Sequence, residues 1–287
     1  MFDHNETLLQ ARERNIKDAL FEDIGTGDWT ALLVPNDSRV KATLTVRQNA
    51  VLCGQAWFEG CLFALDSQAS IQWHYKEGSE MSANSIVCEI TAYPRALLSA
   101  ERPAINFLQT LSWTATTTRE HVKAIAGASP NENGCAVLDT RKTIPGLRQA
   151  QKYAVTVGGG QNQRLALWHG ILIKENHIAA AGGVTAAFKA AVSLQSGVDI
   201  QIEVESIKEL QEALAAGAKN ILIDNFTLEQ MRESVAIAAG SALLEASGGV
   251  SLEQLRAIAA TGVDRISIGK LTKDVIAVDY SLRVLDI

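Results

Sequence analysis

The second half of the chain repeats one unit, and that repeat limits the fold more than any other feature. Short apolar runs occur as "CAVLD", "GILIK", "IQIEVE", "NILID", "ALLEAS" and "RISIG", starting at Cys135, Gly170, Ile200, Asn220, Ala242 and Arg265. Ala- and Leu-rich stretches lie between the later runs. The clearest are "SIKELQEALAAGA", "TLEQMRESVAIAAG" and "SLEQLRAIAATG", each opening on a Ser or Thr cap and closing at Gly. Near-continuous apolar strands alternating with helices imply parallel strands covered by helices. Their number and spacing predict an α/β fold, a TIM-like parallel α/β barrel, complete or incomplete. An open doubly wound sheet is the alternative, but no G-x-G-x-x-G follows the first strand.

The first part of the chain reads differently. Leu8, Leu9, Ile16, Ala19 and Leu20 follow a helical period, which Gly25 and Gly27 break. In "RVKATLTV", Val40, Ala42, Leu44 and Val46 face one way and the polar residues the other, as in a strand exposed on one face. "SIQWHYKEG" and "SIVCEITAY" behave alike. A small α+β unit is therefore expected over about residues 25–95, followed by a helix from Ser99 to Ala126 with Pro103 near its start. Arg102 sits at that start, facing a pocket or a partner subunit, or simply solvent.

Composition narrows the function. The net charge of −6 argues against a nucleic-acid binder, which carries a basic face. No run approaches the ~18 apolar residues of a membrane span, and "MFDHNETLLQARERNIKDAL" lacks a signal-peptide core. Cys53, Cys61, Cys88 and Cys135 fit neither a zinc site nor a dense disulfide framework and read as reduced, buried residues. A cytoplasmic protein is expected.

In α/β barrels the chemistry sits where strands end. Here those ends supply Asp139, Thr140, Arg141 and Lys142; Lys174 and Glu175; Glu203 and Glu205; Asp224; Ser247, Gly248 and Gly249; and Gly269. "GGGQNQR", between the first two strands, adds Gly158, Gly159, Gly160 and Arg164. Arg141, Lys142, Arg164 and Lys174 form a cationic wall suited to carboxylates and phosphates. Glu203 and Asp224 are acceptors. In a phosphate-rich site they would hold Mg²⁺, directly or through water, or stabilise an oxocarbenium-like sugar. The glycine-rich ends offer backbone N–H groups to phosphate.

"DTRKTIPGLR", "GGGQNQRLAL", "LIKENHI", "IEVES", "LIDNF", "ASGGV" and "IGKLT" occur in that order. Together with "EDIGTGDWT" and "ERPAINFLQTLS" upstream, they resemble the signature of the quinolinate phosphoribosyltransferase family over nearly the whole chain. The resemblance implies an N-terminal open-sandwich domain (residues 1–115), a barrel domain (116–273) and a C-terminal tail (274–287) returning to the first. It implies conversion of quinolinate and phosphoribosyl pyrophosphate to nicotinate mononucleotide, pyrophosphate and CO2, with Mg²⁺, in NAD biosynthesis. Arg102, Thr140, Arg141, Lys142, Gln163, Arg164 and Lys174 would bind carboxylates and phosphates. Glu203 and Asp224 would face the ribose and metal. Ser247, Gly248, Gly249, Gly269 and Lys273 would hold the 5-phosphate. Lys142, Lys174, Glu203 and Asp224 would carry the chemistry. A homodimer or higher assembly is implied, with Arg102 completing the neighbouring site.

One position departs from the pattern. Related sequences commonly carry His where this chain has Gln163, and Gln cannot bear a positive charge. Weaker or differently tuned quinolinate binding is expected. Three rivals stand beside the main reading: a Schiff-base lysine at Lys174, a non-catalytic paralogue marked by Gln163, and a sibling enzyme acting on another carboxylated ring. Arg148 either holds the Pro-Gly turn or is exposed, and His177 is structural or functional. His4, His74, His121 and His169 read as surface or locally bonded. Trp57, Trp73, Trp113 and Trp168 read as packing residues.

Overall fold

The computed structural model describes residues 5–285. The chain opens with α1 (Leu8–Ile24), β1 (Val40–Val46), β2 (Ala50–Val51), α2 (Gln55–Leu65), β3 (Ser70–Trp73), β4 (Glu80–Met81), β5 (Ser85–Ala92) and α3 (Pro94–Ile125). It continues through β6 (Ala136–Leu138), α4 (Arg148–Val157), β7 (Gly170–Ile173), α5 (Glu175–Ala181), α6 (Val184–Ser193) and β8 (Asp199–Val204). The last part comprises α7 (Ile207–Ala215), β9 (Asn220–Asp224), α8 (Leu228–Ala238), β10 (Leu243–Ser247), α9 (Leu255–Ala259), β11 (Arg265–Ser267), α10 (Lys270–Lys273) and β12 (Tyr280–Val284).

These elements form two compact units. The first holds the described residues through Arg119, then Thr143–Gly159, and those from Leu271 on; the second holds Glu120–Lys142 and Gly160–Lys270. Residues 143–159 thus group with the first unit, whereas the sequence reading counts them in the barrel domain. The reason is α4, whose Ala150 and Ala154 share a core with β1, β5, α2 and α3.

The first unit is built on an antiparallel sheet of order β12-β1-β5-β3. In β1, Val40, Ala42, Leu44 and Val46 are buried and Lys41 is exposed, as the alternation predicts. β12 pairs with β1 from Ala42↔Val284 to Val46↔Tyr280, so the chain's last strand completes the sheet begun by its first. The helix expected from Ser99 begins earlier. Pro94 takes the first position, and Pro103 lies inside the helix rather than near its start. Proline suits a first turn because its missing N–H costs nothing there. "YPRALLSAERP" offers two such positions, and the helix uses the upstream one.

The second unit is built on a parallel sheet of order β6-β11-β10-β9-β8-β7. This is sequence order read around a ring, with the break between β6 and β7. Across the break, Gln161 bridges to Leu138, donating its N–H to Val137 O at 2.8 Å and accepting from Asp139 N at 3.2 Å. The barrel is therefore incomplete. Its strands alternate strictly. Ile202, Val204, Ile221, Ile223, Leu244 and Ala246 are buried beneath the helices, leaving the residues between them to face inward.

Two of the three clearest helices start at the predicted caps. Ser206 Oγ accepts from Glu209 N at 3.3 Å, and Thr227 forms a reciprocal cap with Gln230. The third does not: α9 begins at Leu255, and residues 252–254 form a turn after Ser251. No helix of the described residues is long and apolar enough to cross a membrane.

Candidate active site

The carboxyl ends of the second unit's strands converge on a cavity of about 330 Å³. Thr140, Arg141 and Lys142 reach it from beyond β6, Leu172 and Lys174 from β7, and Glu203 from β8. Leu222 comes from β9, Glu245 and Ser247 from β10, and Ser267 from β11, while Gln163 and Arg164 enter from the loop spanning the break. The inward positions follow from the two-residue period: Leu172 and Lys174, Gln201 and Glu203, Leu222 and Asp224, Glu245 and Ser247 each share a face.

The lining carries an excess of positive charge, with Arg141, Lys142, Arg164 and Lys174 set against Glu203 and Glu245. Lys174 Nζ donates to Glu203 Oε2 at 2.7 Å. Arg164 Nη1 donates to Gly170 O at 2.9 Å, while its Nε is buried with no hydrogen-bond partner among the described residues. Burial and the charge of Arg141 draw the Arg164 guanidinium below its ordinary pKa. A buried guanidinium with the charge of Arg141 beside it is a place where a bound anion is favoured. Loop positions are fixed from beneath: Asp139, fully buried, accepts from Gln163 N at 2.9 Å, and Thr140 Oγ1 accepts from Lys142 N at 3.0 Å. A Cβ at Gly269 would come within 2.9 Å of Lys142 Cδ, so glycine there leaves the lysine its path.

Asp224 is not among the residues that line this cavity, although its register partner Ser247 is. Leu222, its same-face neighbour, is in register with Glu203 and with Glu245, and Asp224 itself is in register with Ser247. Its Oδ2 accepts from Asn225 Nδ2 at 2.7 Å. The chain then turns sharply. Asn225 adopts φ 57°, Gly248 φ 107° and Gly249 φ 56°. A Cβ at Gly248 would overlap Asn225 Oδ1 and lie 2.8 Å from Asn225 N, so only glycine fits.

Two predicted site residues belong to the first unit. Arg102 lies on α3, its side chain 60% exposed and 3.9 Å from Glu101 Oε1. Lys273 closes α10, with Nζ 3.8 Å from Asp274 Oδ1. Arg148 is not simply exposed, because its Nε donates to Thr143 Oγ1 at 3.2 Å beside the Pro-Gly turn. His177 takes a structural role, its Nδ1 accepting from Lys174 N at 3.0 Å at the start of α5. His74 pairs with Glu89 at 3.3 Å, His169 Nδ1 accepts from Leu165 N, and His121 is buried rather than at the surface. His4 lies outside the described residues. Trp57 is buried, Trp73 packs edge-on against Phe58, and Trp113 Nε1 donates to Asp274 O. Trp168 is 44% exposed and is not a core packing residue. All four cysteines are free.

Sequence reasoning missed Gln201 and Glu245. Both are polar residues at inward positions of otherwise apolar strands, and the two-residue period starting from Glu203 and Ser247 would have found them.

As a metal site, the donors present are oxygens only, and no group of three or more His, Cys, Asp or Glu among the described residues could hold an ion alone. Glu203 and Asp224 offer oxygen ligands of the kind Mg²⁺ takes.

Comparison with known proteins gives one answer. Family models described as quinolinate phosphoribosyl transferase, N-terminal domain and C-terminal domain, match residues 28–112 and 114–283. The nicotinate-nucleotide pyrophosphorylase (carboxylating) of Mycobacterium leprae is 36% identical, covering 97% of this chain and 96% of its own. The quinolinate phosphoribosyltransferase (decarboxylating) 2b, mitochondrial, of Nicotiana tabacum is 33% identical over 94% of this chain and 81% of its own. The solved structure of the nicotinate-nucleotide pyrophosphorylase from Francisella tularensis is 40% identical, with a TM-score of 0.90 over 98% of each chain. With both halves matched and near-complete coverage at these identities, this chain belongs to the quinolinate phosphoribosyl transferase family.

Proposed function

We propose that this protein is a quinolinate phosphoribosyltransferase, converting quinolinate and phosphoribosyl pyrophosphate to nicotinate mononucleotide, pyrophosphate and CO2 in NAD biosynthesis. The observation that carries this reading is the cationic lining, with a buried Arg164 Nε left for an anion. Arg141, Lys142 and Arg164 grip the carboxylates and phosphates, bidentately where guanidinium is used. Lys174, held by Glu203, adds a positioned charge.

Reaction at C1 of the ribose moves positive charge onto the sugar as pyrophosphate leaves. The Glu203 carboxylate stabilises that charge together with Asp224. Mg²⁺, held by these two carboxylates with the phosphates, would supply neutralisation of the leaving pyrophosphate. Attack by the pyridine nitrogen gives a quaternary pyridinium. This is an electron sink, so the neighbouring carboxylate departs as CO2, leaving its bonding pair on the ring carbon, which takes a proton from solvent, and no covalent enzyme intermediate is needed. The protein contributes orientation and charge. Ser247, Gly248, Gly249 and Gly269 serve the 5-phosphate, with Lys273 assisting. The ion pair with Glu203 argues against Lys174 as a Schiff-base nucleophile, which must be neutral to attack. Gln163 meets a substrate carboxylate without a charge of its own.

The active unit on this reading is a homodimer, with Arg102 completing the neighbouring site, and the protein works in the cytoplasm. The test is an assay of purified protein with quinolinate, phosphoribosyl pyrophosphate and Mg²⁺, following nicotinate mononucleotide and labelled CO2, with nicotinate in parallel. Product and CO2 from quinolinate alone are expected, with loss of turnover on chelation. Quinolinate binding without turnover would instead mark a binding paralogue.

A further inference from the structure

The interior of the incomplete barrel contains a polar relay of which the reaction described above uses only the outer member, Gln163. Gln163 Nε2 donates to Gln201 Oε1 at 2.9 Å. Gln201 Nε2 in turn donates to Glu245 Oε2 at 2.9 Å. Barrel interiors are ordinarily filled by layers of branched apolar side chains. Here that layer holds two amides and a carboxyl group whose residue is 2% exposed. Glu245 Oε1 is buried with no hydrogen-bond partner among the described residues, with Ser267 and Arg265 standing by the carboxyl group. Burying such a group is costly, and an apolar residue of similar volume would stabilise the fold at least as well.

The relay also sits at a boundary. Gln163, Arg164 and Glu245 line the substrate cavity and a second cavity of about 140 Å³, which is bordered by Asp199, Asn220 and Arg265 near the amino ends of the strands. They form the partition between the two. The hydrogen bonds give the relay a direction. Glu245 Oε2 is the terminal acceptor, so Gln201 turns its amide nitrogen to Glu245 and its oxygen to Gln163. That oxygen requires Gln163 to turn its own nitrogen inward. A flipped Gln163 would set two carbonyl oxygens against each other.

We infer that Glu245 is a positioning residue for quinolinate, acting through Gln201 to fix the orientation of the Gln163 amide at the floor of the substrate cavity. The inference rests on the proposed function for the identity of the ligand. It explains how an uncharged Gln serves at this position: a pre-oriented amide spends no entropy finding its geometry when the ligand arrives.

Calorimetric titration of the full chain with quinolinate, and separately with phosphoribosyl pyrophosphate, tests it. Glu245→Met removes the terminal acceptor, and Gln201→Met cuts the relay at its middle should the first variant fail to fold. Each is expected to raise the quinolinate Kd by about fivefold or more, a coupling typical of groups in one network. The Kd for phosphoribosyl pyrophosphate should stay within twofold. Glu245→Gln, which keeps an acceptor, should recover most of the loss. In a Gln163→Ala background, Glu245→Met or Gln201→Met should add less than twofold. Effects that multiply in the double variant, or equal losses for both ligands, would overturn the relay. Wild-type protein that does not bind quinolinate would overturn the functional reading and the relay with it, a result distinct from either.

Discussion

Lys174 and Glu203 form an ion pair of 2.7 Å between neighbouring barrel strands, with the lysine side chain 43% exposed and the glutamate 10%. Exposure on the lysine side limits what the pair contributes to stability. On the proposed function, its worth lies in holding both groups where the reaction takes place. Lys174→Met should lower kcat/KM by about 100-fold or more, the scale for loss of a preorganised charge. The melting temperature should move by no more than about 4 °C. Steady-state kinetics beside a thermal melt will check both. Activity within about tenfold of wild type would remove Lys174 from the chemistry.

Gln163 makes a second prediction, about pH. An amide does not titrate, so the wild-type quinolinate KM should not respond to this position between pH 6 and 8. Gln163→His introduces a group with an ordinary pKa of about 6.5. Below that value it is cationic and forms a charge-assisted contact with a carboxylate. KM for quinolinate should therefore fall as pH drops from 8 to 6 in the variant, beyond any change in the wild type. A variant KM that tracks the wild type across this range would show that the position does not tune binding.

Most of the barrel was legible because parallel buried strands are near-continuous apolar runs, and all six appear where those runs lie. The charged ends were legible for the same reason, since each breaks a run. Gln201 and Glu245 were not, because a polar residue in the middle of "IQIEVE" or "ALLEAS" looks like an exposed position until the layer above is known to face inward. The grouping of α4 with the first unit depends on Ala150 and Ala154 finding a core far away in sequence. Alanine carries no signal of which core it joins. Pro103 misled because two prolines nine residues apart both suit a helix start, and only packing chooses between them.

Gly248 meets a backbone requirement of the turn that follows β10. At φ 107°, with an added Cβ overlapping Asn225 Oδ1, alanine there is strained and crowded together. Gly248→Ala should cost about 1–3 kcal/mol of stability. On the proposed function, in which this turn offers its N–H groups to the 5-phosphate, it should also raise KM for phosphoribosyl pyrophosphate more than for quinolinate. Gly249→Ala, which meets nothing within 4 Å and is strained only through its φ of 56°, should cost less. Denaturant titration of the two variants side by side gives the comparison, and equal costs would deny the role of the Asn225 contact.

Asp66 predicts how the first unit responds to acid. Burial pushes its carboxyl up, but N–H donation from Tyr93 and Gln68, with Arg39 beside it, outweighs that and holds it below the usual carboxylate value. A lowered folded pKa stabilises the fold above the unfolded value of about 3.9 and is lost as pH falls through the folded one. Asp66→Asn should therefore cost about 1–3 kcal/mol at pH 7 and less at pH 3. Urea titrations at the two pH values measure the gap. An equal gap at both would assign the loss to geometry rather than charge.

The terminal strand gives the last prediction. Tyr280 is 8% exposed, and its hydroxyl lies 2.9 Å from Ser112 Oγ, which also accepts from Cys53 N at 3.1 Å. Val278 N donates to Gln109 O at 3.2 Å, tying the approach to β12 against α3. Tyr280→Phe removes one buried partner and should cost about 1–3 kcal/mol. Ending the chain at Asp279 does more. It strips β12 from β1 and turns an interior strand into a sheet edge whose buried face includes Val40, Ala42 and Leu44. Such an edge is a template for pairing with other chains. The truncated protein should melt well below Tyr280→Phe and form soluble aggregates by light scattering at concentrations where the full chain does not. A truncated chain that melts with Tyr280→Phe and stays unaggregated would mean that β12 contributes little beyond the one hydroxyl.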